Sequence, residues 1–585
     1  MRTGAELFVD TITQLGIQRI FTLVGDHLNP VLSAASRSDL EIIHMRHEAA
    51  VVHAADAYAR ATRKPALSLV TGGPGHTNSL TGLATAYMAA SPVIAVSGSR
   101  PNSLAERQAF QDIDQIGMAK PVVKWAGQPY SAAQIPFYLS RAYLEATAGR
   151  MGPVHLTIPV DVFSAETPSA CVQVPSDSER PAPAAAQIEM ALHLLRASER
   201  PVVIAGSGAW WADCGAELKQ FIELASLPLF TIGMARGVVP DNHEFCFGYA
   251  DPALNRACHK SFQEADLFLI LGKRIDFRLG SGSTRVLPSE AKCIQVDIHP
   301  QELGMNRSLD LGICADLKQT LTGFIQAYVG DQSSRAAWLT RLRSLRGEWQ
   351  STMETYSLER QVPMHPAAVY PEIIRALPPD ALLSWDGGDF IHWGRAITPA
   401  LRGGAWVRLG PLGTIGAALP NGIALKLANP DKPVVILTGD GALGFYIAEI
   451  DTAVRYKLPL VLIVGNDAGW GLERELQGAV EGTTVACELR STRYDRVVEA
   501  FGGAGETVES PEQIFPAVRR ALESRVPYCV NVLIRGARSP FTDWTLAGKF
   551  RAPRRSAENR KSRVSESRAL ESPHPLQENR SRNLC

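Results

Sequence analysis

Gly439-Asp440-Gly441-Ala442 closes an apolar run, PVVILTG, and about 26 residues after Asp440 a second apolar run, LPLVLIV, ends in Gly465-Asn466-Asp467-Ala468. A carboxylate, an amide oxygen and a backbone carbonyl, here supplied at Ala468, make the sparse oxygen set that magnesium takes when phosphate and water complete its octahedron. Gly439 and Gly441 lack side chains, so the backbone can approach a phosphate closely. The two motifs together predict a magnesium-bridged phosphate site. Asp440, Asn466 and Ala468 would face the metal, and Gly439, Gly441 and Ala442 the phosphate. A lone GDG turn is common at strand–helix joints; the asparagine at this distance, ending a second strand, makes the pair specific.

Both motifs sit at the C-terminal ends of strand-like runs, where open α/β sheets bind ligands. Similar runs recur along the chain: ALSLVTG, PVIAVSG and PVHLTIP early, PVVIAGSG, LFLILGKR and CIQVDIHP in the middle, and LLSWDGG, PVVILTGDG and LPLVLIVGND late. Helical patterns lie between many of them, which predicts an α/β fold of doubly wound parallel sheets. The N-terminal stretch MRTGAELFVDTITQLG reads as an amphipathic helix. Two composition breaks divide the 585 residues: a Pro/Ser/Ala-rich linker over 165–187 and a charged helical connection over 330–365. Three domains are expected, over 1–165, 188–330 and 362–545. A tail over 549–585 is expected to be disordered, and its residues 551–585 hold nine Lys/Arg against four Asp/Glu.

A formal net charge of zero gives no field to recruit nucleic acid or an anionic membrane. No apolar run reaches the roughly 18 residues that suggest a membrane span. No signal-peptide pattern opens the chain, and the nine cysteines include no CxxC pair. These features place the protein in the cytoplasm, acting on small molecules.

Further motifs follow in order: RHEAAVVHAADAYAR (46–60), TGGPGHTN (71–78), AFQDIDQIGMAKPVVKW (109–125), GPVHLTIPVDV (152–162), IGMARG (232–237), GKRIDFR (272–278), QVDIHPQELGMN (295–306), DGGDF (386–390) and GPLGTIGAALPNGIALK (410–426). With the GDG and Asn466 motifs, this series resembles the thiamine-diphosphate enzymes of the acetolactate-synthase-like group over about residues 1–545. The resemblance implies three α/β domains that bind the pyrimidine, occupy the centre and bind the diphosphate. It implies that Glu48 hydrogen-bonds the pyrimidine nitrogen N1′ and so promotes loss of the thiazolium C2 proton. Gln111 would face the reactant. Ile415 would hold the cofactor bent, bringing its amino nitrogen to C2. Gly388, Asp389, Phe390 and Gly413 would line the diphosphate loops. Glu48 and Asp440 would meet across a subunit interface, in a homodimer or homotetramer. In the middle domain Arg236, Arg274 and Asp297 would contact a non-redox FAD; relatives hold ADP there, or nothing.

The chain departs from this pattern at three places. Gly465 stands where the family has the first of two asparagines. GNDAGWGLERELQ (465–477) replaces the Gly-Met-Val…Trp segment of acetolactate synthases and is more similar to the 2-hydroxyacyl-CoA lyases. His27 stands where acetolactate synthases tend to carry Gly, whereas benzaldehyde lyase and the hydroxyacyl lyases carry His; a histidine there could move a substrate hydroxyl proton. His76 reads as a core residue. The expected function is carbon–carbon bond formation or cleavage on 2-keto or 2-hydroxy acyl substrates, of acetolactate synthase type. The alternatives are a 2-hydroxyacyl-CoA or acyloin lyase, and a catalytically silent regulatory homologue. Retention of Glu48, Asp440 and Asn466 argues against the last.

Overall fold

The computed structural model describes residues 1–168, 180–330 and 335–551. It holds three six-stranded sheets, and every strand pair within them is parallel. Ala66–Val70, Leu267–Leu271 and Val461–Asn466 are buried at every position, as strands covered by helices on both faces must be. All nine apolar runs quoted above contain a strand.

The first sheet runs Glu41–His44, Arg19–Thr22, Ala66–Val70, Val93–Ser99, Val154–Pro159, Ala126–Gly127. The last runs Trp406–Arg408, Leu382–Trp385, Val434–Gly439, Val461–Asn466, Tyr528–Leu533, Ala504–Val508. Numbered by chain order within each sheet, both read 2-1-3-4-6-5, whereas the middle sheet reads 3-2-1-4-5-6. In each sheet the order reverses beside the first strand, and a crevice opens there at the C-terminal ends. In the first sheet this crevice lies between the segments after Thr22 and Val70, in the last between those after Trp385 and Gly439. The outer units thus place their loops at equivalent points.

They also touch each other. The helix Glu48–Thr62 packs on the helix Ala418–Ala428. Alanines at 49, 50, 54, 55, 57 and 59 are all buried, and their small side chains let the two helices approach closely.

Two segments are described in part. The linker over 165–187 is ordered at both ends: Glu166–Thr167 pairs antiparallel with Arg2–Thr3, and a helix starts at Ala185. Its centre, 169–179, lies outside the described residues. The tail expected from 549 instead begins as the end of the helix Pro540–Arg551, and 552–585 lie outside the described residues. The N-terminal helix forms over Gly4–Gln14 and opens on a capping box, with Thr3 Oγ1 accepting from Glu6 N–H (3.2 Å) and Glu6 accepting from Thr3 N–H (2.9 Å). Among the described residues no helix is long and apolar enough to cross a membrane.

Candidate active site

Gly439 pairs in register with Gly465, so the chain leaves the sheet at Asp440 and Asn466 from adjacent positions. Both residues are buried. Asp440 Oδ2 accepts Gly469 N–H at 3.0 Å. Burial pushes its carboxyl up to about 7, and nearby Asp467 adds to the shift. Asn466 donates to Thr492 O (2.9 Å) and Asn531 Oδ1 (3.1 Å), which turns its Oδ1 away from those partners. That oxygen accepts Ala468 N–H at 3.2 Å. Ala468 adopts φ +52°, and its carbonyl accepts Leu489 N–H at 2.8 Å, leaving a second lone pair. A carboxylate in want of a cation, an amide oxygen and a carbonyl suit a hard divalent ion.

Opposite lie the 386–390 and 413–416 loops. Gly388 (φ +93°) has open space where a Cβ would be, bare backbone on the cavity wall; Gly413 (φ +79°) has the same open space but does not line that cavity. Gly387, Gly388, Asp389, Phe390, Ile415 and Gly439–Ala442 line one cavity of about 140 Å³. The Asp389 carboxylate is engaged elsewhere: Oδ1 accepts from the hydroxyls of Ser539 and Thr542 at 2.5 Å each, so Asp389 fixes the C-terminal helix and only its backbone and Oδ2 remain for a ligand. Phe390 explains Gly465: a Cβ at 465 would sit 2.3 Å from the Phe390 ring, so this ring occupies the space an asparagine would need.

The first unit gathers a second group around the turn Thr71–Gly75, at the head of the helix Pro74–Ala89. Glu48 opens its own helix and accepts from Asn78 Nδ2 at 3.0 Å; its other oxygen lies 3.6 Å from where a Cβ of Gly75 would be. A Cβ at Gly73 would meet Gln111 at 2.7 Å. Gln111 has φ +60°, and its buried Oε1 has no hydrogen-bond partner among the described residues. His27 is buried, fitted against Gly98 and Gly72, where a Cβ would lie 2.5 and 3.3 Å from it. Two neighbours at its Nδ1 select opposite tautomers. Gly72 N–H, at 3.3 Å, requires an acceptor, whereas Thr71 Oγ1, at 3.0 Å, can take a proton from the ring. In the tautomer set by the shorter contact, Nε2 is an unprotonated base. His76 is buried against Ser97 (3.1 Å) and the His155 ring (4.6 Å), as a core residue.

The two groups do not meet within one chain: no residue before Gly387 lines the 140 Å³ cavity.

At the switch point of the middle sheet a cavity of about 690 Å³ opens, lined by Ser207, Gly208, Gly272, Arg274 and Asp297 and, from the outer units, by residues such as Arg60 and Arg408. Arg274 donates to Met88 O at 2.6 Å. Asp297 accepts His299 N–H at 3.0 Å, and burial raises its carboxyl. The expectation for Arg236 is corrected. It does not line this cavity; it pairs with Asp241, donates to Thr231 Oγ1 (3.0 Å) and stacks on Tyr249 and Trp406. Its role is to join the middle and last units.

Two positioning residues escaped the sequence reading. Asp386 accepts from Gly387 N–H and Gly416 N–H (2.9 Å each) and Thr438 Oγ1 (3.1 Å), tying the loops around the cavity to the GDG strand. Burial pushes it up to about 6. The first Asp of DGGDF was a visible signal. Gln115 accepts Gly73 N–H (3.0 Å) and donates to Gly98 O (3.2 Å), bracing the turn beside His27; nothing local marked it.

Family models match three stretches: the thiamine pyrophosphate enzyme N-terminal TPP binding domain over residues 2–118, the central domain over 188–324 and the C-terminal TPP binding domain over 386–532. A probable acetolactate synthase from Mycobacterium bovis is 34% identical, covering 88% of this chain and 93% of its own. A 2-hydroxyacyl-CoA lyase 2 from Caenorhabditis elegans is 29% identical over 91% of this chain and 90% of its own. The human 2-hydroxyacyl-CoA lyase 2 is likewise 29% identical, over 94% and 92%.

Proposed function

Since the chain belongs to the thiamine pyrophosphate enzymes, on the branch holding acetolactate synthases and 2-hydroxyacyl-CoA lyases, we propose that it cleaves or forms the carbon–carbon bond beside the hydroxyl-bearing carbon of a 2-hydroxyacyl substrate. The observation that carries this reading is His27, buried with Thr71 at its Nδ1, against the Thr71–Gly75 turn that Glu48 and Gln111 also approach. When bound, thiamine diphosphate supplies a carbon nucleophile and then an electron sink. The protein's residues do the rest. Asp440, Asn466 and the Ala468 carbonyl would hold magnesium, and the bare backbone at Gly388 and Gly439–Ala442 would take the diphosphate. Ile415 sits on the wall of the same cavity and would set the bend of the cofactor. Glu48 would share a proton with the pyrimidine ring, His27 Nε2 would take the substrate hydroxyl proton, and Gln111 Oε1 would accept a hydrogen bond from the reactant.

Acetolactate-type condensation of 2-keto acids is the second reading, supported by the 34% identical relative. Cofactor-loaded enzyme offered pyruvate, benzoin and a 2-hydroxyacyl-CoA side by side decides. The expected result is aldehyde release from the hydroxyacyl thioester. Acetolactate from pyruvate as the sole product would replace the proposal with the second reading.

Because Glu48 and Asp440 belong to separate groups, a complete site is proposed to need a second copy of the chain. Light scattering at assay concentration should show a dimer or tetramer; an active monomer would refute this. The central cavity lies within the usual size range of small-molecule sites, and FAD or ADP is read as its occupant, with Arg274 and Asp297 in contact. A flavin would show in the visible spectrum of the purified protein.

A further inference from the structure

Glu48 is the first residue of its helix, so its position depends on the connection His44–His47 that leads into it. Most of the hydrogen bonds to that connection come from the far end of the sequence. The helix Glu449–Arg455 and Tyr456 of the last unit lie against it. Tyr456 Oη accepts His44 N–H at 2.7 Å and donates to Ile42 O at 2.8 Å. Arg455 donates to His44 O at 2.7 Å, and Arg46 pairs with Asp451 at 3.1 Å.

Glu449 makes the central contact. It is fully buried, and its Oε1 accepts both Arg46 N–H and His47 N–H, at 3.1 Å each. Thr452 Oγ1 donates to the other oxygen at 2.6 Å. A buried carboxylate is tolerated when several donors converge on it, and backbone N–H groups bound to a charge make strong hydrogen bonds. The two peptide groups ahead of Glu48 are therefore fixed by one side chain. That side chain lies nine residues after Asp440, on the segment that leaves the GDG turn. Tyr446, between them, packs its ring against His47 (5.6 Å).

We propose that Glu449 is a positioning residue for Glu48: by anchoring the backbone of Arg46 and His47 it sets where the Glu48 carboxylate stands, without itself touching cofactor or substrate. The proposal rests on the reading of Glu48 as the carboxylate that activates the cofactor. It ties the two outer units of one chain together at the point where Glu48 enters its helix, so a change at the GDG segment is felt by Glu48.

The test uses full-length enzyme and three variants: Glu449→Ala, Glu449→Gln and, as reference, Glu48→Gln. Two quantities are read. One is amide hydrogen–deuterium exchange of the peptide spanning 44–52 in cofactor-free protein. The other is hydrogen–deuterium exchange at C2 of thiamine diphosphate bound with magnesium. Losing one charge-assisted anchor should raise the amide exchange and lower the C2 exchange by roughly tenfold each in Glu449→Ala, with cofactor affinity within about threefold of the parent. Glu449→Gln keeps an oxygen that accepts both N–H groups, so it should stay within about threefold of the parent in both readouts. Loosened amides with parent-like C2 exchange in Glu449→Ala would overturn the proposal, as would unchanged amides. If Glu449→Ala fails to fold, Glu449→Asp, whose shorter side chain cannot reach both groups, takes its place with the same expected and overturning results. Parent-like C2 exchange in Glu48→Gln would instead remove the role of Glu48 itself, and with it the premise, an outcome the reference variant separates from a failure at Glu449.

Discussion

Glu48→Gln is expected to slow hydrogen–deuterium exchange at C2 of bound thiamine diphosphate by roughly 10²–10⁴-fold, the usual span for a lost acid–base group, while the cofactor still binds. The substitution keeps the size of the side chain and its contact to Asn78, but an amide cannot share a proton with the pyrimidine ring. Binding should survive if the diphosphate end is held, as proposed, by the residues around the other cavity, which Glu48 does not line. Asp440→Ala should show the opposite pattern. It removes the carboxylate proposed to hold magnesium, so magnesium and cofactor should be lost together in a calorimetric titration. C2 exchange within about twofold of the parent in Glu48→Gln would take Glu48 out of the mechanism.

His27→Ala is expected to lower turnover of a 2-hydroxyacyl substrate by roughly 10²–10⁴-fold, with a much smaller loss in decarboxylation of a 2-keto acid. Cleavage starts with loss of a hydroxyl proton, and imidazole is the usual base for such a step near neutrality. Carbon dioxide leaves without one. On the proposed reading Thr71 would hold the proton on Nδ1 and leave Nε2 as the base. Thr71→Val should reproduce part of the defect, because Gly72 N–H would then select the tautomer that carries its proton on Nε2. Equal loss of both activities in His27→Ala would make His27 structural, and loss of neither would place it outside the pocket.

The long buried strands were legible in the sequence because full burial on two faces writes itself as an unbroken apolar run, as in Val434–Gly439 and Val461–Asn466. Short or edge strands such as Ala126–Gly127 and Trp406–Arg408 left no such mark, having too few residues to show a pattern. Strand order was not legible either, since it depends on which helices cross which face. Among candidate site residues, those named from the sequence either do chemistry by their own type or sit in a motif with a fixed spacing. Asp386, Gln115 and Glu449 act through backbone N–H groups, and Glu449 reaches across 403 positions to Arg46. A backbone donor has no letter of its own. Arg236 was expected at a cofactor only through the family resemblance; its pairing with Asp241 is unmarked in the local sequence.

The contact between Phe390 and Gly465 also constrains how this sequence can change. With 2.3 Å between the ring and a Cβ at 465, the two positions form an epistatic pair. An asparagine at 465 is incompatible with the present ring, whereas a smaller residue at 390 opens a void that glycine does not fill. A side chain at 465 should therefore be accommodated only once the residue at 390 is smaller than phenylalanine.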